Sequence, residues 1–248
     1  SRWLKGSSAM GVPAPLYVVV ELANTLRLSI VVPALDEAEE LARHLPDALA
    51  VADQVVVSDG GSADGTAEVA RRLGALVVHG PPGRGGQLNR GAQATDGEVL
   101  LFLHADSTLP ADGVARVREA AGVGAVGGGF RLRFDAASPA LRLGARLINL
   151  RTRLTRCPLG DQAQFATRAA FDALGGFRDW PILEDLDFAR RLKRLGPLAL
   201  LPSEVTTSAR RFRDGGWPRT VATNWLIWGL YFAGVSPRRL ARLYGKVR

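Results

Sequence analysis

The chain has 248 residues, 47% of them hydrophobic, with one cysteine, three histidines and a formal net charge of +8. That length and apolar content suit a single α/β domain and exclude a disordered chain, while lone Cys157 excludes a disulfide framework and a cysteine zinc site. The charge is nearly all arginine, whose planar fork suits oxyanions; a basic balance also suits nucleic acid or anionic lipid, and an arginine-rich genome explains it equally well.

Met10 is the only methionine, so residues 1–9 read as a leader and residues 10–27 as an N-terminal extension. Glu21 interrupts the apolar run Leu16–Val20, and no segment reaches the roughly 20 apolar residues that span a bilayer. A reducing, cytoplasmic setting is the default. Leu28–Pro33 reads as a buried strand, followed by a helix with acids in its first turn. Gln54–Asp59 is a second strand ending in an acid, Gly60–Thr66 a turn, Glu68–Leu73 helix, and Ala75–His79 a third strand. Pro81–Gly86 reads as a loop carrying Arg84, and Gln87–Ala94 as helix.

The fourth strand, Val99–Leu103, is a continuous apolar run that changes abruptly to His104, Ala105 and Asp106. Ligands of open α/β sheets bind outside the carboxyl ends of the strands. His104 and Asp106 are two apart, so in extended chain they share a side and could hold a divalent cation against a diphosphate. On this stretch alone, Asp106 capping the helix after Pro110 is as good a reading. Pro33, Asp59, Arg84 and Asp106 all fall at one sheet edge, however, which capping explains poorly.

The second half is less regular. Ala125–Phe134 reads as a strand and Pro139–Arg156 as a helix, with Leu143, Leu147, Leu150 and Leu154 in a stripe beside Arg142, Arg146 and Arg153. Gly160–Phe165 reads as a strand with a polar lip, Leu183–Leu195 as an acid-led helix, and Trp217–Val235 as an apolar helix. Cys157 reads as a buried small hydrophobe, and His44 as solvated on a surface helix.

Ile30–Glu37, Val57–Thr66, Gly83–Asn89, Leu103–Asp106 and Leu183–Asp185, in that order, resemble the family 2 glycosyltransferases. Within them the likeness is to small bacterial selenodomain-associated transferases, through the histidine-containing strand end and Thr207–Arg211. The resemblance covers Leu28 to Tyr244 and implies a GT-A fold: a Rossmann-like, mostly parallel sheet with helices on both faces and a helical C-terminal extension. It implies one domain, 28–244, with a nucleotide-binding half (28–110) and an acceptor-side half (111–244). It implies transfer of one hexosyl group from a UDP- or GDP-linked sugar, with inversion and with Mg²⁺ or Mn²⁺. By the same resemblance, Pro33, Ala34 and Glu37 border the nucleoside, Asp59 meets the base, Arg84 faces base and phosphate, Asp106 is the last acid of the metal motif, and Asp185 is the general base.

The leaving diphosphate needs positive charge, and the attacking hydroxyl needs a carboxylate. Glu184 and Asp185 open a helix, where the dipole favours their ionised forms, and only one of two neighbours can face the acceptor. Glu184, Asp161 and Gln162 are expected along the acceptor. His104 replaces the first acid of the metal motif and no histidine follows it, so Arg211 is expected to reach the diphosphate, with Arg210 pointing the other way. The alternatives are a nucleotidyltransferase, disfavoured because Pro33–Glu37 holds neither Gly nor Arg, and a nucleic-acid-binding module, disfavoured because aromatics do not interleave the basic residues. Nucleic acid is therefore not an expected partner; peripheral contact with the inner membrane and a homodimer through the C-terminal helix stay open.

Overall fold

The computed structural model describes residues 25–136, 138–210 and 217–244. The leader 1–9, residues 10–24 of the extension, and Arg211 lie outside the described residues. One eight-stranded sheet runs β3-β2-β1-β4-β7-β6-β8-β5. Its strands are β1 (Leu28–Ala34), β2 (Gln54–Asp59), β3 (Leu76–His79), β4 (Val99–Phe102), β5 (Ser107–Thr108), β6 (Gly127–Phe134), β7 (Phe165–Thr167) and β8 (Leu198–Thr207). The first four in this order are parallel; β7 is antiparallel to both β4 and β6. The architecture is the mixed α/β GT-A arrangement expected, with its parallel character concentrated in the N-terminal half.

The helices are α1 (Ala38–Val51), α2 (Thr66–Leu73), α3 (Arg84–Gln93), α4 (Gly113–Gly122), α5 (Pro139–Thr155), α6 (Arg168–Leu174), α7 (Glu184–Leu195), α8 (Trp217–Phe232) and α9 (Pro237–Tyr244). Alternate residues of β1 and β4 face opposite ways, and both faces are covered. Ile30, Val32 and Leu101 pack on Leu41 and Leu45 of α1 and Val117 of α4. Val31, Leu100 and Phe102 pack on Leu88 of α3, Phe171 of α6 and Phe188 of α7. Phe177 stacks on Phe188 at 4.2 Å between centroids and meets Phe102 edge-on at 4.8 Å. These rings tie the start of α7 to the end of β4.

Four expectations are corrected. Gly160–Gln162 is a 3-10 turn, not the start of a strand; Gln162 N–H donates to Leu159 O while Gln162 Oε1 accepts from Leu159 N–H, which closes the chain locally. Arg84 is the first residue of α3 rather than a loop residue. Ala105 and Asp106 form a turn, which breaks the two-residue period that would have put His104 and Asp106 on one side. The C-terminal helix stops at Phe232, because Gly234 takes φ 93° before α9 begins.

Candidate active site

Two loops lace together at the carboxyl ends of β1 and β2. Asp36 takes φ 53°, unusual outside glycine, and its backbone N–H donates to Ser62 Oγ at 2.9 Å. Ala63 N–H returns a bond to Asp36 Oδ1, and Asp64 Oδ2 accepts from Ala38 N–H at 3.0 Å. Asp59 is buried beneath them and accepts from Gly61 N–H, Ser62 N–H and Oγ, and His79 Nδ1. Burial alone would raise its pKa, yet these bonds from Ser62, His79 and Gly61 hold it below the ordinary carboxylate range. Asp59 thus shapes the loop that follows β2. Gln87 of α3 donates from Nε2 to both Ala34 O (2.8 Å) and Ser58 O (2.9 Å), joining the two strand ends. Pro33 is half-buried in β1 and Ala34 fully buried beside it.

An acidic cluster lies beside this loop. Arg210, just past the end of β8, donates from Nη2 to both oxygens of Glu37 at 3.0 Å and from Nη1 to Glu40 at 3.4 Å. Burial raises the pKa of Asp106; the Arg210 charge opposes this and Glu40 adds to it. Burial raises Glu37 as well, opposed by Arg210 and reinforced by Asp106 and Glu40. Three carboxylates therefore share one guanidinium. His44, expected in solvent, instead shares Nδ1 with Thr108 Oγ1 at 2.8 Å and brings Nε2 within 3.5 Å of Glu40.

A second cluster lies where β4, the 3-10 turn and α7 meet. Asp185 is half-buried; its Oδ2 accepts from Gly160 N–H at 2.9 Å and its Oδ1 from Leu186 N–H at 2.7 Å. A Cβ on Gly160 would sit 3.0 Å from His104 Nε2 and 3.4 Å from Asp185 Oδ2, so His104 and Asp185 both approach Gly160. Glu184 is 2% exposed, with Arg84 Nη1 at 3.5 Å from its Oε1. Burial pushes its pKa up to about 7; Arg84 opposes the rise and Asp185 adds to it. Asp161 Oδ1 is sealed from solvent with no hydrogen-bond partner, and burial raises its pKa against the pull of Arg151.

The structure thus brings Glu37 near Asp106, and His104 and Asp185 to Gly160, with Arg84 reaching toward Glu184. Gln162 is corrected as an acceptor contact. It is fully buried, and its side chain is consumed by Arg151, Thr152, Leu159 and Phe130 O. Glu184 is likewise too buried to touch an acceptor. Sequence reasoning missed Arg210, Gln87 and Arg151. Gln87 stood within the quoted Gly83–Asn89 motif, whereas Arg210 was turned away by an alternation argument that fails past the end of β8. Among the described residues no three His, Cys, Asp or Glu side chains converge as a ready-made metal cage. Asp106 does fit a hard cation of the kind that takes one or two carboxylates and completes its shell with water and substrate phosphates.

Residues 29–171 match the profile of Glycosyl transferase family 2. No curated protein sequence matches the chain. Among solved structures, the mannosyltransferase PcManGT from Pyrobaculum calidifontis, in complex with GDP-Man and Mn²⁺, is similar at TM-score 0.59 and 24% identity over 74% of this chain and 56% of its own. Glucosyl-3-phosphoglycerate synthase from Mycobacterium tuberculosis, solved with Mn²⁺, uridine diphosphate and glucosyl-3-phosphoglycerate, is similar at 0.60 and 22% over 88% and 85%. Mannosyl-3-phosphoglycerate synthase from Rubrobacter xylanophilus is similar at 0.56 and 18% over 89% and 80%. The chain spans little more than half the length of PcManGT.

Proposed function

Because the chain belongs to glycosyl transferase family 2, we propose that it is a glycosyltransferase that moves one sugar from a nucleotide-diphosphate sugar to an acceptor hydroxyl in a single inverting displacement. The observation that carries this reading is the half-buried Asp185, held by two backbone N–H groups at the carboxyl end of β4 with His104 beside it.

The laced loops after β1 and β2, with Pro33, Ala34, Glu37 and Asp59, support the nucleoside. Asp106 would hold a divalent cation, Mg²⁺ or Mn²⁺, which would offset negative charge on the leaving diphosphate. Arg84, at the N-terminus of α3, adds a fixed donor toward the phosphates. Asp185 accepts the proton of the acceptor hydroxyl as that oxygen attacks the anomeric carbon from the face opposite the leaving group. Buried Glu184 and Arg84 hold each other, and so set the position of the residue next to them. Asp161 stays an acceptor-side candidate, because the residue is only half-buried and lies near Asp185. The relatives solved with GDP-Man or uridine diphosphate support a GDP- or UDP-linked donor. The absence of the processive Gln-x-x-Arg-Trp signature supports single transfer. The histidine-containing strand end supports placement with the selenodomain-associated subgroup.

A thermal-shift screen of sugar nucleotides with and without Mn²⁺ identifies the donor, since a ligand of the folded state raises its stability. With that donor, Asp185→Asn should lower turnover about 100-fold or more while leaving the donor shift intact. Asp106→Asn should abolish the Mn²⁺-dependent part of the shift. Near-normal transfer by Asp185→Asn, read with product anomer by NMR, would sink the assignment.

A further inference from the structure

α5 buries Leu141, Ala145 and Thr152 against the sheet. At 3.6 residues per turn, Leu143, Leu147, Leu150 and Leu154 fall on the opposite side, and they are between 49% and 76% exposed. The stripe is flanked by exposed Arg142, Arg146 and Arg153. Arg151 of the same helix lies over the Trp228 ring of α8 at 5.1 Å, which joins the stripe to exposed Trp225 and Phe232. Between these helices and α7 opens a groove of about 410 Å³, with Cys157, Leu186, Trp228 and Phe232 on its walls and Arg190, Lys193 and Arg194 around it. None of those three cations pairs with a carboxylate among the described residues.

From this we infer that the outer face of α5 and α8 docks on an anionic lipid surface, leucines and aromatics entering the interface while the arginines and the groove meet lipid phosphates. α5, α8 and α9 contain eight arginines and no Asp or Glu. A second copy seated on this face would set arginine against arginine, whereas an anionic bilayer supplies both the apolar phase and the opposite charge. No helix among the described residues is long and apolar enough to cross a membrane, so the contact is peripheral. The inference does not depend on the sugar-transfer reading.

The test is co-sedimentation of the full chain with phosphatidylcholine vesicles, with and without phosphatidylglycerol. The wild type should sediment with the anionic vesicles only, and added salt should release it. Arg142→Ala with Arg146→Ala should lower partitioning roughly 25-fold, about fivefold for each charge, and the corresponding lysine pair should restore it. Leu147→Gln with Leu150→Gln, which leaves the core untouched, should lower it at least tenfold. A wild type that stays in the supernatant would overturn the inference. So would a dimer by light scattering without lipid that the leucine pair converts to monomer.

Discussion

Arg210 is the residue on which the acidic cluster of Glu37, Glu40 and Asp106 is balanced. It faces all three as a built-in counter-ion, in a position where a bound cation would compete with it. Arg210→Ala should therefore cost roughly 1 kcal/mol in chelator, as suits a half-exposed pair. It should also enlarge the melting shift produced by Mn²⁺ beyond that of the wild type. Equal Mn²⁺ shifts in the two proteins would mean that the guanidinium and the cation do not share the acids. The neighbouring Arg211, favoured from the sequence, lies outside the described residues.

At the scale of the element, α7 shows what packing contributes to chemistry. Its three leading acids have different fates. Glu184 is buried against Arg84, Asp185 stays half-open, and Asp187 is bound by Arg191, which also donates to Leu174 O and Gly176 O. The helix is fixed by Phe188 against Phe177 and Phe102. Phe177→Ala should cost about 3–5 kcal/mol by cavity formation. Because the start of α7 would loosen, turnover should fall more than donor affinity, as read by urea unfolding and steady-state kinetics. The parallel strands and α7 were legible in the sequence because apolar runs between Gly and Pro signals leave few alternatives. Gly160–Phe165 was not: Gln162 closes a local turn there that hydropathy does not register. The turn at Ala105–Asp106 also defeated the extended-chain argument, so the approach of His104 and Asp185 to Gly160 emerged only from tertiary packing.

Over the described residues the shifted carboxylates divide by whether hydrogen bonds and ion pairs outweigh burial. Glu37, Asp106, Asp161 and Glu184, all at the site, are raised, chiefly by burial. Asp53, Asp59 and Asp64 are lowered: burial opposes, but hydrogen bonds and, for Asp53, Arg118 win. A raised group binds its proton more tightly in the native state. Its stabilising contribution is complete below the ordinary carboxylate range and is lost as pH rises, for Glu184 through about 7. Glu184→Gln should therefore gain on the wild type between pH 5 and pH 8, by no more than about 3 kcal/mol, in urea midpoints taken at both values. A gap that is constant with pH would mean that Glu184 does not titrate in this range.

The order in which the sheet is threaded also bears on how the protein is made. β5 pairs with β8 across the longest sequence span of any strand pair, where Ser107 Oγ donates to Thr207 Oγ1 at 2.9 Å, and Arg210 follows directly. On a ribosome even Asp106, the last of these acids, emerges about a hundred residues before Arg210, and Glu37 and Glu40 earlier still. At roughly 5–20 residues per second, that leaves them unbalanced for about 5–20 s. A nascent chain released before Arg210 would carry all the strands of the parallel half and still lack the counter-charge of its acidic pocket.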